Sequence, residues 1–305
     1  MRTSRKVAAF VLAIGVVCIL RERYVCHRGQ SLITDLRSRG CWVIDVRNGR
    51  GALSRILLGD DEYRVVEQIH VTREFAIRPE HVTAFPNVTI FEAFENVSVS
   101  AEALRALLGH PRLNELNLQD ANFSFPDETF AAIFRDVDFR ATELRTLYLS
   151  GSRIHDRELL RLADDSNLEG LDISDSSVTS AGIASLRRCQ RLKFLAVARV
   201  PVDRALVGQL SSLRSLQILN LDHTNVGDDD VRLLCRSLVN LRAISLEGTE
   251  VTRESLPTMI EAETLDEVNI SETSVVASDL SSIAGVRRKH LRIILTDRDV
   301  DIGRD

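Results

Sequence analysis

The chain has 305 residues, 44% of them hydrophobic and 27% charged, and a formal net charge of −5. These shares are those of a soluble globular chain and exclude disordered, collagen-like and all-membrane classes. The first 30 residues carry a net +5 and residues 31–305 a net −10, so the acidic body excludes a phosphate-backbone partner such as nucleic acid.

In chain order, the first element is an unbroken apolar or small run from Val7 to Leu20, preceded by Arg5-Lys6 and followed by Arg21 and Arg23. Its 14 residues are short for a membrane span, and the flanking arginines can snorkel. A signal peptide has an apolar region of this size, and Ala13 and Gly15 would serve at −3 and −1, but cutting there would leave five more apolar residues on the mature end. Residues 1–30 therefore read as a membrane anchor or signal-like helix, with residues 7–20 in the membrane as an uncleaved single-pass signal anchor. Secretion after signal cleavage stays open as the alternative.

Residues 31–64 read as an N-terminal cap region. Leu32, Ile33 and Leu36 mark a short amphipathic helix ending at Gly40. Cys41–Val46 reads as a strand. Ala52–Leu58 reads as a second short helix, stopped by Gly59-Asp60-Asp61.

From about residue 65 a template recurs, L-x-x-L-x-L followed by a small residue and then Val, Ile or Phe. Its clear copies start at Leu113, Leu144, Leu168, Leu192, Leu216, Leu241 and Leu265, which are 31, 24, 24, 24, 25 and 24 residues apart. Looser copies place Val66, Ile69, Val71, Ile77 and then Val88, Phe91, Val97, Val99 on the same template, and a terminal partial copy begins at Leu291. Leucine fills roughly one position in eight and aromatics only 5%, as suits many similar thin layers. The second and third template leucines are two apart, so both face inward from one strand. The small position is Ala121, Ser152, Ser176, Val200, Thr224, Thr249 or Thr273. A hydroxyl there can bond the turn backbone, so the Ala121 and Val200 turns are expected to be less well tied. Apolar pairs Leu159/Leu162, Ile183/Leu186, Val207/Leu210 and Val231/Leu234 mark one helical face. Asp156, Thr179 or Ser180, Asp203, Asp228 and Thr252 stand where side-chain oxygens cap helices. The 31-residue copy predicts a longer helix with Phe130, Ile133 and Phe134 inward.

On these residues and this period the chain resembles the leucine-rich-repeat family. The anchor, the amphipathic helix and the LLGDD element at Leu57–Asp61 are similar to those of bacterial membrane-anchored leucine-rich-repeat proteins. The expected fold class is α/β, a right-handed leucine-rich-repeat solenoid over residues 65–300. It should have about nine or ten turns, parallel strands on the concave face, helices on the convex face, an N-terminal apolar helix and a tail at 301–305.

No catalytic motif and no cofactor site is found, and no metal site is predicted. The seven histidines include no i,i+4 pair with another ligand. The five cysteines form no C-x-x-C pair; Cys189 and Cys235 lie among leucines, as packed thiols do. The expected function is a non-enzymatic protein-protein interaction module, displayed from a membrane, that binds a protein or peptide on the concave face. Outward strand positions make that surface polar and mildly acidic. Tyr148 and Phe194 are the aromatic anchors beside an apolar break at Ala196/Ala198. Asp172, Asn220, Asp222 and Glu247 form the surrounding ring, which favours a basic partner. Two alternatives remain: an enzyme or enzyme subunit using Trp42, Asp45, Asp60 and Asp61 before residue 65, and a structural envelope protein.

Overall fold

The computed structural model describes residues 32–38, 41–47, 64–71, 75–93, 97–165, 167–280, 291–296 and 299–302. The apolar run 7–20, the expected helix 52–58 and the Asp60-Asp61 pair lie outside them. Among the described residues no helix is long and apolar enough to cross a membrane.

Helix α1 (32–38) comes first, with Ile33 and Leu36 buried. The Cys41 N–H donates to the Leu36 carbonyl at 3.0 Å, and strand β1 (Trp42–Arg47) follows one residue later than the sequence suggests. The main sheet then takes β2 (Arg64–Val71), β4 (Ile90–Ala93), β6 (Glu115–Asn117), β8 (Thr146–Tyr148), β9 (Gly170–Asp172) and β10 (Phe194–Ala196). It continues through β11 (Ile218–Asn220), β12 (Ala243–Ser245), β13 (Glu267–Asn269) and β14 (Leu291–Ile294). These ten strands are parallel, each hydrogen-bonded to the next in chain order.

The register sets one residue per strand in a single column: Ile69, Phe91, Leu116, Leu147, Leu171, Leu195, Leu219, Ile244, Val268 and Ile293. Each is at most 2% exposed. Each turn buries its column residue against two neighbours, so the core is a row of identical layers. The third template position of the copy at Val88 is Ala93, which is fully buried, not Val97. At the far end the phase is set by Ile293 and Leu295, so the partial copy does not begin on Leu291.

A short second sheet joins β3 (Ala76–Ile77), β5 (Ser98–Val99) and β7 (Asn122–Phe123), all parallel, and aligns Ile77, Val99 and Phe123. Helices return the chain between strands, and consecutive helices pack against one another. Strands repeat about every 4.8 Å whereas helices need 8–10 Å. The strand side is therefore the short, inner side of the curve. The 31-residue copy spends its extra length on a helix at Asp127–Asp136 with Phe130, Ile133 and Phe134 buried, as its sequence predicts.

Both ends of the sheet are closed by an antiparallel strand. β1 pairs with β2, with a bulge between Ile44 and Asp45. β15 (Asp299–Ile302) pairs with β14 and takes Asp301 and Ile302 out of what the sequence reads as a tail. Each hairpin covers an open ladder edge of the parallel stack.

The turns correct two expectations. Thr224, Thr249 and Thr273 each donate a hydroxyl to the carbonyl three residues back, at 2.6–2.7 Å. Ser152 and Ser176 do not: their buried hydroxyls have no hydrogen-bond partner. The Ala121 and Val200 turns are tied, since both N–H groups donate to the carbonyl three back just as Ser152 and Thr249 do. The turn is closed by the backbone N–H at Ala121, Ser152, Val200 and Thr249, and by the hydroxyl at Thr224, Thr249 and Thr273.

Asp156 and Asp228 do not cap their own helices. Asp156 accepts from the N–H and hydroxyl of Thr179, one turn ahead, at 2.7 and 2.6 Å. Asp228 accepts from the N–H and hydroxyl of Thr252 at 2.9 and 2.7 Å. The carboxylate staples the start of its helix to the next. Thr179, Asp203 and Thr252 do cap their own helices, accepting from Ala181, Leu206 and Glu254 respectively.

Candidate functional site

The solvent-facing side of the sheet carries the candidate site. Two outward columns matter. One runs Thr146, Gly170, Phe194, Ile218, Ala243 and Glu267; the other runs Tyr148, Asp172, Ala196, Asn220, Ser245 and Asn269.

Tyr148 and Phe194 stand on strands separated by β9, in different columns, yet their rings meet at 6.0 Å between centroids and 50° between planes. Gly170 allows this. A Cβ there would lie 3.0 Å from Thr146 Cγ2 and 3.5 Å from Phe194 Cδ1. Without it the Phe194 ring reaches across β9. On the other side of Phe194 stands Ile218, 45% exposed, with Ala243 beyond it. Ala196 and Ala198 form the small-residue floor, 3% and 7% exposed. The apolar patch is thus Tyr148, Phe194 and Ile218 over two alanines.

Carboxyl groups border this patch. Burial lifts the Glu115 carboxyl above its ordinary range, with the Glu92 charge adding and the His70 ring opposing. His70 and Glu92 form an ion pair. Burial also lifts Asp172; the hydrogen bond from the Ser174 N–H opposes this, and the charges of Asp175 and Asp120 add to it. Burial raises the Tyr148 hydroxyl, and Glu115, Asp172 and Glu92 raise it further. The edge near the strand starts carries Arg145 and Lys193, both paired with Glu169 at 2.9 and 2.7 Å. Those cations hold Glu169 below the usual carboxylate range, the Lys193 hydrogen bond most of all.

Asn220, Asp222 and Glu247 are brought together, but in a structural role. Asp222 Oδ1 accepts from the Ser245 hydroxyl at 2.5 Å and from the Glu247 N–H at 2.9 Å, while Oδ2 accepts from Asn220 Nδ2 at 2.8 Å. Asn269 Nδ2 donates to Ser245 and to Glu247 at 3.1 and 3.0 Å. The Asn and Asp side chains of the second column share one local bond: Asn117, Asp172, Asn220 and Asn269 each accept from the N–H two residues on, at 2.8–3.0 Å. This bonding holds the bend that ends the strand, and Asp222 is committed to it.

No family model matches the sequence, and no curated protein matches it. The crystal structure of an internalin C2 from Listeria monocytogenes is similar over 77% of this chain and 82% of its own, at 16% identity and a TM-score of 0.40. At that level it carries no weight for function. The parallel register and the buried column show a repeat solenoid with one strand per turn.

Sequence reasoning missed Gly170, Ile218 and Ala243, because it read the face from the fourth and sixth positions after the first leucine and took Phe194 as a single neighbour, not as part of a column. The second position also faces outward, as the two-residue period of a strand requires. Cys189 is buried and its thiol faces the Ala163 carbonyl, whereas Cys235 is only partly buried. The enzyme alternative rests on Asp60 and Asp61, which lie outside the described residues, as do the side chains of Trp42 and Asp45.

Proposed function

We propose that the chain is a non-enzymatic binding module that holds an extended protein or peptide segment across the inner sheet face, displayed from a membrane through residues 7–20. The observation that carries this reading is the Tyr148–Phe194 pair continuing into exposed Ile218. Aromatic and aliphatic anchors over a small-residue floor are where interface energy concentrates. The patch is shallow and follows the strand grid, which suits a chain segment better than a small molecule needing an enclosing pocket. The bordering Glu92, Glu115 and Asp172 favour basic residues beside the partner's apolar anchor and speed its encounter.

The test is an array of short peptides sorted by charge and by the presence of an aliphatic or aromatic anchor, probed with the full-length protein. Enrichment of basic, anchored peptides that disappears in Phe194→Ala and Tyr148→Ala supports the reading. Binding indifferent to both substitutions sinks it. Carbonate washing of membranes tests display separately: a full-length chain released into the wash removes the anchor.

A further inference from the structure

One position of every clear repeat, two residues after the third template residue, has a positive φ. It is held by Asp120, Gly151, Asp175, Arg199, His223, Gly248 and Glu272, with φ between 53° and 70°. Each of the first six donates its N–H to a carbonyl of the next turn, so this bend is also a rung between turns. The left-handed region strains an ordinary side chain against its own backbone, which glycine avoids.

Three consecutive turns put His223, Gly248 and Glu272 at this position. Gly248 leaves a gap between its neighbours, and a Cβ there would run into the His223 ring. Glu247, on the preceding outward position, leans into the same gap. His223 Nε2 lies 4.0 Å from Glu247 Oε1. One ligand atom from each of His223, Glu247 and Glu272 lies within 4.8 Å of the other two. Asn269 Nδ2 donates to Glu247 Oε2 at 3.0 Å and so orients that carboxylate, while Thr296 Oγ1 accepts from the Glu272 N–H at 2.7 Å and fixes the backbone that carries Glu272.

We propose that His223, Glu247 and Glu272 form a site for a divalent transition-metal ion such as Zn2+, bridging three successive turns over Gly248. An imidazole nitrogen with two carboxylate oxygens is a donor set that zinc takes, and the two carboxylates balance the ion's charge. Zinc–ligand bonds of about 2.1 Å place ligand atoms roughly 3.4 Å apart, so the exposed side chains close by about an ångström on binding. Three protein ligands leave a coordination position open to water or to a donor from a bound molecule. The site does not depend on the binding surface around Tyr148.

The test is calorimetric titration of Zn2+ into untagged full-length protein whose accessible cysteines have been alkylated under native conditions, since exposed thiolates also bind zinc; the buried Cys41 and Cys189 are left as they are. Ca2+ and Mg2+ serve as comparators. One saturable Zn2+ site is expected, untouched by Ca2+ or Mg2+. His223→Asn removes the imidazole yet suits a left-handed position, so it should leave the metal-free melting temperature unchanged while weakening Zn2+ at least about 10-fold. Glu272→Gln should do the same. Gly248→Ala, which crowds the His223 ring, should weaken Zn2+ without removing a ligand. No saturable heat with the unmodified sequence, or full affinity in a folded His223→Asn protein, overturns the proposal.

Discussion

Tyr148 and Phe194 touch across a strand that belongs to neither of them. The contact exists because Gly170 has no side chain to fill the space between. The pair is therefore a three-turn feature: β8 and β10 supply the rings, and β9 supplies the gap. Gly170→Val should push Phe194 away, since a Cβ would already lie 3.5 Å from its ring and 3.0 Å from Thr146, leaving no room for the two further methyl groups. The expected cost is about 1–3 kcal/mol of stability from overpacking. A loss of the near-ultraviolet circular dichroism of Tyr148 is expected with it. A spectrum identical to that of the parent, with unchanged stability, would show that the rings do not depend on the glycine.

The buried column fixes the second expectation. Leu195 is fully buried between Leu171 and Leu219. Leu195→Ala should cost about 2–5 kcal/mol in urea melts. Ile218→Ala, on the exposed side of the adjacent strand, should stay within roughly 0.5 kcal/mol of the parent. Equal costs for the two would mean that the strand faces are reversed.

The bend position gives a third. Gly151 has φ +70°, and its Cβ would lie 2.6 Å from Asp120 Oδ1. Gly151→Ala should lose about 1–2 kcal/mol. Arg199→Gly should be neutral to stabilising, because the relieved strain offsets the flexibility glycine adds. The Arg199–Asp175 ion pair at 2.9 Å is exposed and worth little. Denaturant midpoints of both variants decide it; a strongly destabilised Arg199→Gly would refute the strain account.

Two carboxylates give opposite pH signatures. Burial raises Asp228, but the hydrogen bonds from Ser255 and Thr252 outweigh burial and set it below its ordinary 3.8. A depressed folded value means a stabilising contribution that is present at neutral pH and lost as pH falls below 3.8 through that lower value. Asp228→Ala should cost about 1–3 kcal/mol at pH 7 and less in acid. Asp172 is raised above 3.8 by burial, so its ionisation opposes folding as pH rises through its folded value. Asp172→Asn keeps the bond to Ser174, as Asn117, Asn220 and Asn269 do in their turns, and should stabilise the protein at pH 7. Paired melts at pH 7 and pH 3.5 test both signs, and an Asp172→Asn protein less stable at pH 7 would contradict the second.

Much of this fold is legible in the sequence because one constraint recurs. Each 24-residue turn must bury the same four positions, and only apolar residues can fill them. The bend position left no such trace. Its backbone does the bonding, so Asp, Arg, His, Glu and Gly all occur there and composition carries no signal. The staples were half legible: Asp156 and Asp228 stand where capping residues stand, but their partners lie 23 and 24 residues ahead. Gly182 shows how local that choice is. A Cβ there would strike Asp156, whereas the equivalent residue of the later turn, Ser255, donates to Asp228. The closing strands β1 and β15 were not legible as antiparallel, since pairing direction depends on what lies beside a strand, not on its own residues. At the candidate site the aromatic residues were readable and their contact was not, because it hinges on a glycine in the turn between.

The last expectation concerns binding, and it separates anchors from steering charges. Tyr148→Ala and Phe194→Ala should each weaken a bound basic peptide by over about 1 kcal/mol, mainly through faster dissociation. Because the rings support each other, the double variant should cost less than the sum of the two. Glu115→Gln should act differently. Its carboxyl borders the patch without filling it, so the change should slow association and flatten its salt dependence, with dissociation little altered. Asp222→Lys is unsuitable as the steering variant, because Asp222 accepts from Asn220, Ser245 and the Glu247 N–H and its loss would disturb two adjacent turns. Arg187→Glu, on the helix side of the solenoid, is the control. Rate constants measured at two salt concentrations decide the matter. If the control slows or weakens binding while Tyr148→Ala, Phe194→Ala and Glu115→Gln leave it intact, the partner docks on the helices and the inner sheet face is only solvated surface.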